Sequence, residues 1–96
     1  MSLDAVLARL DADLPQSLDR LFDLIRLKSI SADPAFAGEV SKTADWCVAE
    51  LTALGFDASR RDTPGHPMVV AHWTGPVENP DRHVLFYGHY DVQPVD

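Results

Sequence analysis

The sequence predicts an α/β fold in which two N-terminal helices are followed by three mainly antiparallel strands. Apolar residues recur three and four positions apart in the first half, which is the spacing of helices that lie on a core. The second half holds short β-branched and aromatic runs separated by glycine and proline, which is typical of strands and turns. The chain has 96 residues with 46% hydrophobic content, which fits one globular unit.

The first predicted helix follows a stripe of large aliphatic residues that we expect to be buried. The stripe consists of Leu7, Leu10, Leu14, Leu18, Leu21 and Ile25. Pro15 interrupts it, because proline cannot donate the helical hydrogen bond and disfavours a helical conformation in the residue before it. We therefore expect a kink or a restart at Pro15, with the stripe continuing in register.

The second helix is predicted to begin at Asp33-Pro34, a capping carboxylate followed by proline at the first helical position. Gly55 is the expected left-handed stop. The predicted buried face comprises Phe36, Val40, Ala44, Cys47, Leu51 and Leu54.

Three strands are predicted after this helix. Residues 56–62 carry two arginines and suit a solvated edge strand, and residues 68–73 form a firmer strand after a proline-rich turn. A loop is expected from Gly75 to Asp81. Residues 83–88 are apolar on both faces, which predicts a strand in the middle of a sheet, covered on both sides.

Composition excludes several classes of function. The formal net charge is −7, with 15 acidic and 8 basic residues, so phosphate-rich partners such as nucleic acid or an anionic membrane have no electrostatic basis. The single cysteine, Cys47, rules out an internal disulfide framework and a paired-thiolate zinc site. The first residues lack a signal-peptide pattern and no apolar run is long enough to span a membrane, which predicts a soluble cytoplasmic protein.

His89 and Asp91 at the end of the last predicted strand are the candidate site residues. Two residues apart on an extended backbone, their side chains point to the same face. A metal-bound imidazole usually donates its second ring N–H to a carboxylate, so His-x-Asp supplies both partners. The alternative is a turn histidine hydrogen-bonded to Asp91 without a metal, since a catalytic zinc needs about three protein ligands.

Other reactive residues are better explained by structural roles. His66 in a proline-rich turn and His72 beside Trp73 are more often structural than ligands. His83 opens the last predicted strand, about 20 Å from His89 by strand geometry. Cys47 lies on the predicted apolar helix face, and Ser29, Ser31 and Ser41 are outside any nucleophile-elbow motif.

Residues 85–94, with the sequence Leu-Phe-Tyr-Gly-His-Tyr-Asp-Val-Gln-Pro, resemble the first metal-binding motif of the M20 family of metallopeptidases. Tyr90 and Gln93 are similar to the dipeptidase branch, which includes carnosinase-like enzymes, rather than to the acetylornithine and succinyl-diaminopimelate branches. Weaker similarities lie upstream at Ser29–Ser31, at residues 54–56 and at residues 65–67.

The resemblance implies that residues 1–96 are the N-terminal part of a zinc-exopeptidase-like α/β/α catalytic domain. His89 would bind one metal of a two-zinc site, and Asp91 would be the catalytic aspartate that supports it. The remaining ligands and the glutamate base would lie after Asp96, as would a domain that covers the site and often forms homodimers. The isolated fragment would then be inactive.

Two functions are therefore expected from different classes. The first is the N-terminal portion of a zinc-dependent dipeptidase that hydrolyses peptide bonds in dipeptides or short peptides, with manganese or cobalt as alternative metals. The second is a truncated, non-catalytic relative that binds a protein partner through an open sheet edge.

Overall fold

A computed structural model of the chain describes residues 2–73, 75 and 82–96. The order of elements is helix α1 (Leu3–Arg26), a short 3-10 helix (Pro34–Phe36), helix α2 (Ala37–Ala53), strand β1 (Asp57–Arg61) and strand β2 (Met68–His72). The α/β class and the two leading helices are thus confirmed. The predicted loop at residues 76–81 lies outside the described residues.

Helix α1 is a single helix of 24 residues that continues through Pro15 without a restart. Ser2 caps it, because the Ser2 hydroxyl accepts a hydrogen bond from the amide of Ala5 at 3.1 Å. The prediction that its apolar stripe lies on a core is wrong for the described residues. The stripe residues from Leu7 to Ile25 are 40–65% exposed, because no other described helix or strand packs extensively on this face.

The helical segment starts at Asp33-Pro34 and stops before Gly55 as the sequence signals predict, but helix α2 itself begins three residues later than predicted, at Ala37. The carboxylate of Asp33 accepts a hydrogen bond from the amide of Ala35 at 2.9 Å, and the first turn is a 3-10 turn. The helix ends at Ala53, and Gly55 follows with a left-handed φ of 97°. Val40 and Ala44 are fully buried as predicted. Leu54 was expected to be buried and is 65% exposed, because it lies beyond the last helical turn.

Thr43 is the fully buried polar residue of α2, and its burial is not evident from the sequence pattern. Its hydroxyl donates to the carbonyl of Glu39 at 2.8 Å, so the buried polar group is satisfied within the helix. This local bond lets a threonine occupy a core position beside Val40 and Ala44.

Strands β1 and β2 form an antiparallel two-stranded sheet that packs against α2. Ser59 pairs with Val70 at the centre of the register, and Arg61 pairs with Met68 at its turn end. Arg60 links the sheet to α2, since its guanidinium donates to the hydroxyl of Ser41 at 2.7 Å and contacts the carboxylate of Asp45 at 3.2 Å. The first two predicted strands are therefore confirmed.

The third predicted strand, residues 83–88, is not confirmed, because residues 82–90 have no strand assignment. Residues Val84–Tyr87 are 83–93% exposed, so neither apolar face is covered by described residues. Backbone pairing resumes at Val92, which forms an isolated parallel bridge with Ile30. A central strand needs partners on both edges and layers on both faces, and the described residues supply neither.

None of the described helices combines the length and the apolar character needed to cross a membrane.

Candidate metal-binding site

The candidate site lies where the C-terminal segment meets the turn that follows α1. Ser29 and Ile30 are both buried there. The amide of Val92 donates to the carbonyl of Ser29 at 2.9 Å, and the hydroxyl of Ser29 donates to the carbonyl of Tyr90 at 2.8 Å. These two bonds and the Ile30–Val92 bridge fix the backbone on both sides of Asp91.

His89 and Asp91 form the side-chain pair that their spacing predicts. His89 Nδ1 lies 2.9 Å from Asp91 Oδ1 and 3.2 Å from the carbonyl oxygen of Asp91. Two acceptors at Nδ1 favour, in the neutral imidazole, the tautomer with its proton on that nitrogen, which leaves the lone pair on Nε2. The His89 side chain is 73% exposed, which leaves Nε2 accessible to a ligand. The structure therefore brings the two predicted site residues together.

The second carboxylate oxygen of Asp91 is also engaged. The hydroxyl of Ser31 donates to Asp91 Oδ2 at 2.6 Å. The Ser31 hydrogen bond, followed by that from His89, lowers the pKa of Asp91 below the ordinary aspartate value. Asp91 is thus an ionised acceptor with both oxygens occupied, a geometry suited to orienting His89 rather than to binding a metal itself.

Tyr90 anchors the same segment to the turn before β2. Its hydroxyl donates to the carbonyl of Pro67 at 2.5 Å, and burial raises the pKa of this phenol. The amphipathic ring thus holds the backbone of residues 89–91 against the loop at residues 63–67. An open cleft of about 610 Å³ lies beside this contact, lined by the site residues, by the preceding Phe86–Gly88 and by apolar side chains of α2 and β2.

Comparisons with known proteins found similar sequences among metallodipeptidases. The chain is 31% identical to a Cys-Gly metallodipeptidase of Schizosaccharomyces pombe over 105 aligned positions, which cover 99% of this chain and 22% of that protein. Cys-Gly metallodipeptidases of Saccharomyces cerevisiae and Candida albicans are 29% and 30% identical, over 98% and 84% of this chain. The chain is similar in sequence to these metallodipeptidases.

The resemblance read from residues 85–94 is therefore confirmed as a relationship to metallodipeptidases. The chain spans about a fifth of the length of these relatives, 22% of two of them and 19% of the third. No protein-family model and no solved structure matches the chain.

The other candidate residues take the structural roles expected of them or remain apart from the site. His66 Nε2 donates to the carbonyl of Ser31 at 2.9 Å, so this histidine supports the turn. His72 ends β2 opposite Asp57, and His83 is exposed. Cys47 is half-buried, and desolvation raises the pKa of its thiol, which opposes the thiolate form that a nucleophile needs.

The donor set fits one metal ligand rather than a complete site. No group of three or more histidine, cysteine or acidic side chains that could hold a metal occurs among residues 2–73, 75 and 82–96. His89 offers one free imidazole nitrogen with its tautomer set by Asp91, which is how a histidine ligand is usually prepared. A complete zinc site needs about three protein ligands, so further ligands have to come from elsewhere.

The sequence pattern predicts His89 and Asp91 as site residues but gives no site role to Ser31 or Tyr90. Ser31 lies sixty residues before Asp91, so no local spacing links the two. The available signal was the pattern Ser29-Ile30-Ser31, in which hydroxyls alternate with a buried aliphatic residue, as in a short extended segment.

Proposed function

We propose that residues 1–96 are the N-terminal part of the catalytic domain of an M20-type, zinc-dependent dipeptidase that hydrolyses peptide bonds. The observation that carries the proposal is the pair His89–Asp91, with Nδ1 held by the carboxylate at 2.9 Å and Nε2 left accessible. The relationship to Cys-Gly metallodipeptidases supports the same reaction class.

Each site residue has a defined role in this proposal. His89 would donate the Nε2 lone pair to one zinc ion, and Asp91 would hold the proton on Nδ1 and so keep Nε2 available. Zinc ions supply Lewis-acid activation of the peptide carbonyl and of the attacking water. Imidazole ligands also suit manganese and cobalt, so these metals are alternatives to zinc.

The rest of the site belongs to residues outside this chain in the proposal. One histidine cannot hold a pair of metal ions, so the isolated 96-residue chain should bind zinc weakly and hydrolyse nothing. The exposed stripe of α1 and the exposed residues Val84–Tyr87 would be covered by the remainder of the catalytic domain. A homodimer formed through a further domain and a cytoplasmic location are also part of the proposal.

The proposed substrate is a dipeptide, and Cys-Gly is the first candidate because the three relatives carry that name. A panel of dipeptides that vary one side chain at a time, beginning with Cys-Gly, would define the preference of the full-length protein.

The decisive experiment compares His89→Ala with the matched variant His72→Ala in the full-length protein. His72 is an exposed histidine at the end of β2, pairs with Asp57 and is not among the residues that line the cleft beside His89, so it controls for loss of an imidazole. We expect His89→Ala to lower bound zinc per protein and to abolish dipeptide hydrolysis, while His72→Ala leaves both unchanged. Two zinc ions and full activity in His89→Ala would contradict the proposal.

The exposed apolar face of α1 also favours a second candidate, a non-catalytic relative that binds a protein partner. Zinc binding and dipeptide hydrolysis by the full-length protein distinguish the two candidates. A full-length protein that binds no zinc at micromolar concentration and hydrolyses no dipeptide with zinc, manganese or cobalt would support the interaction module and exclude the enzyme.

A further inference from the structure

Ser31 is the residue where the site meets the body of the protein. Its hydroxyl donates to Asp91 Oδ2 at 2.6 Å, and its carbonyl accepts from His66 Nε2 at 2.9 Å. The neighbouring residue Ile30 is buried and pairs with Val92. Ser31 therefore has a backbone fixed on both sides and a side chain directed at the carboxylate.

The hydroxyl of Ser31 restricts rotation of the Asp91 carboxylate in the His89–Asp91 pair. The Asp91 side chain is 42% exposed, so water could compete for either carboxylate oxygen and the group could rotate. A donor at Oδ2 holds the carboxylate plane while Oδ1 faces His89 Nδ1 at 2.9 Å. The three groups form a chain in which each hydrogen bond restricts the orientation of the next.

We propose that Ser31 is a positioning residue for the metal site, acting through Asp91 to fix the ring orientation and tautomer of His89. Ser31 itself touches neither metal nor substrate. The inference rests on the proposed role of His89 and extends it to Ser31, which lies sixty positions before Asp91 in the sequence.

Ser29 supplies a matched control for this role. It lies two residues from Ser31 and is more deeply buried, and its hydroxyl also donates to the same C-terminal segment. Its acceptor is the backbone carbonyl of Tyr90 at 2.8 Å rather than the Asp91 carboxylate. Ser29→Ala thus removes a comparable hydrogen bond and costs stability without removing a bond to Asp91.

The test uses the full-length protein with Ser31→Ala, Ser31→Thr and Ser29→Ala, each checked by its urea unfolding midpoint. The first readout is the pair of ring 15N shifts of His89 in metal-free protein at about pH 8, above the ordinary pKa of histidine. The second is the zinc dissociation constant from competition with a chromogenic chelator. Neither readout depends on turnover by the zinc-loaded enzyme.

We expect Ser31→Ala to convert the Nδ1–H tautomer of His89 into a mixture and to raise the zinc dissociation constant about 10-fold, the low end of the effect of removing a supporting partner. Ser31→Thr keeps a hydroxyl and should restore both readouts. Ser29→Ala removes a bond that places the same segment but none to Asp91, so it should change both readouts less than Ser31→Ala does, despite its lower unfolding midpoint.

Three results would overturn the inference. Wild-type tautomer and affinity in Ser31→Ala would show that the hydroxyl does not position Asp91. Equal changes in Ser29→Ala and Ser31→Ala would show that both serines act by placing the backbone of residues 89–92. A changed His89 tautomer with an unchanged zinc dissociation constant would show that the Ser31 hydroxyl does not contribute to metal binding. Failure of the proposed function is distinguishable, since the wild type would then bind no zinc, or His89→Ala would bind zinc as tightly as the wild type, whatever the serine variants do.

Discussion

At the scale of single residues, the carboxylate of Asp91 makes the stability of the folded protein depend on pH in the acidic range. Hydrogen bonds from Ser31 and then His89 lower the pKa of Asp91 in the folded protein, so the ionised carboxylate stabilises the folded state. Because the folded-state pKa is depressed, this contribution is fully present above the ordinary aspartate pKa of about 3.9. It is lost as the pH falls through the lower folded-state value.

We therefore expect the difference in unfolding free energy between wild type and Asp91→Asn to be constant from neutral pH to about pH 5 and to shrink below about pH 4. Urea unfolding of metal-free protein, with a chelator present, measures this difference. Ser29→Ala is the control, because its lost hydroxyl does not titrate and its difference should not follow this profile. An Asp91→Asn difference that stays flat down to about pH 2 would contradict the assignment.

Residue-level reasoning could identify His89 and Asp91 because the information is local. A two-residue spacing on an extended segment places both side chains on one face, and the structure joins them at 2.9 Å. The contribution of Ser31 depends on a contact across sixty residues, which no spacing rule contains. Half of the hydrogen-bonded arrangement around Asp91 was thus predictable, and the other half required the fold.

At the scale of elements, the turn from α2 into β1 depends on Gly55. Its φ of 97° is a conformation that residues with a side chain rarely adopt. A Cβ built at Gly55 would lie 2.9 Å from the ring atom Cζ3 of Trp73, which is itself packed near Phe56 with ring centroids 5.5 Å apart. The backbone conformation and the close ring both exclude a larger residue.

Gly55→Ala should therefore lower the unfolding free energy by about 1–2 kcal/mol, the usual penalty for a left-handed conformation in a residue with a Cβ. The urea midpoint measures it. Gly38→Ala is the matched control, because Gly38 lies in the first turn of α2 with nothing within 4 Å of an added Cβ. It should leave the midpoint unchanged or raise it, and equal losses in the two variants would contradict the role of Gly55.

Elements whose ends carry chemical signals were predictable, whereas their burial was not. Asp33-Pro34 and Gly55 mark the ends of the second helical segment. The run that contains two arginines forms β1, and the run that contains two valines forms β2. The periodicity of α1 predicted the helix correctly but not a buried face, since burial depends on which surface meets the stripe. For the same reason, residues 83–88 carry the composition of a central strand without forming one here.

At the scale of the whole molecule, the described chain is more extended than its length requires. The radius of gyration is 15.9 Å, against about 13 Å for a compact domain of about 100 residues. The difference fits a 24-residue helix α1 whose apolar face is uncovered by the other described elements. Exposed apolar surface of this kind drives association or is covered by further protein.

We expect the isolated 96-residue chain to bind an apolar fluorescent dye and to associate as its concentration rises, because the α1 stripe remains exposed in the monomer. Replacing three stripe residues by lysine should abolish both effects, and we choose Leu10, Leu14 and Leu21. The control adds the same positive charge on the opposite face of the helix, at Ala8, Ala12 and Gln16. Sedimentation velocity and dye fluorescence compare the three proteins.

If association depends on the stripe, only the variant with lysine at the three leucine positions becomes monomeric. If the two lysine variants behave alike, charge rather than the apolar face controls association, and the uncovered stripe has no part in it.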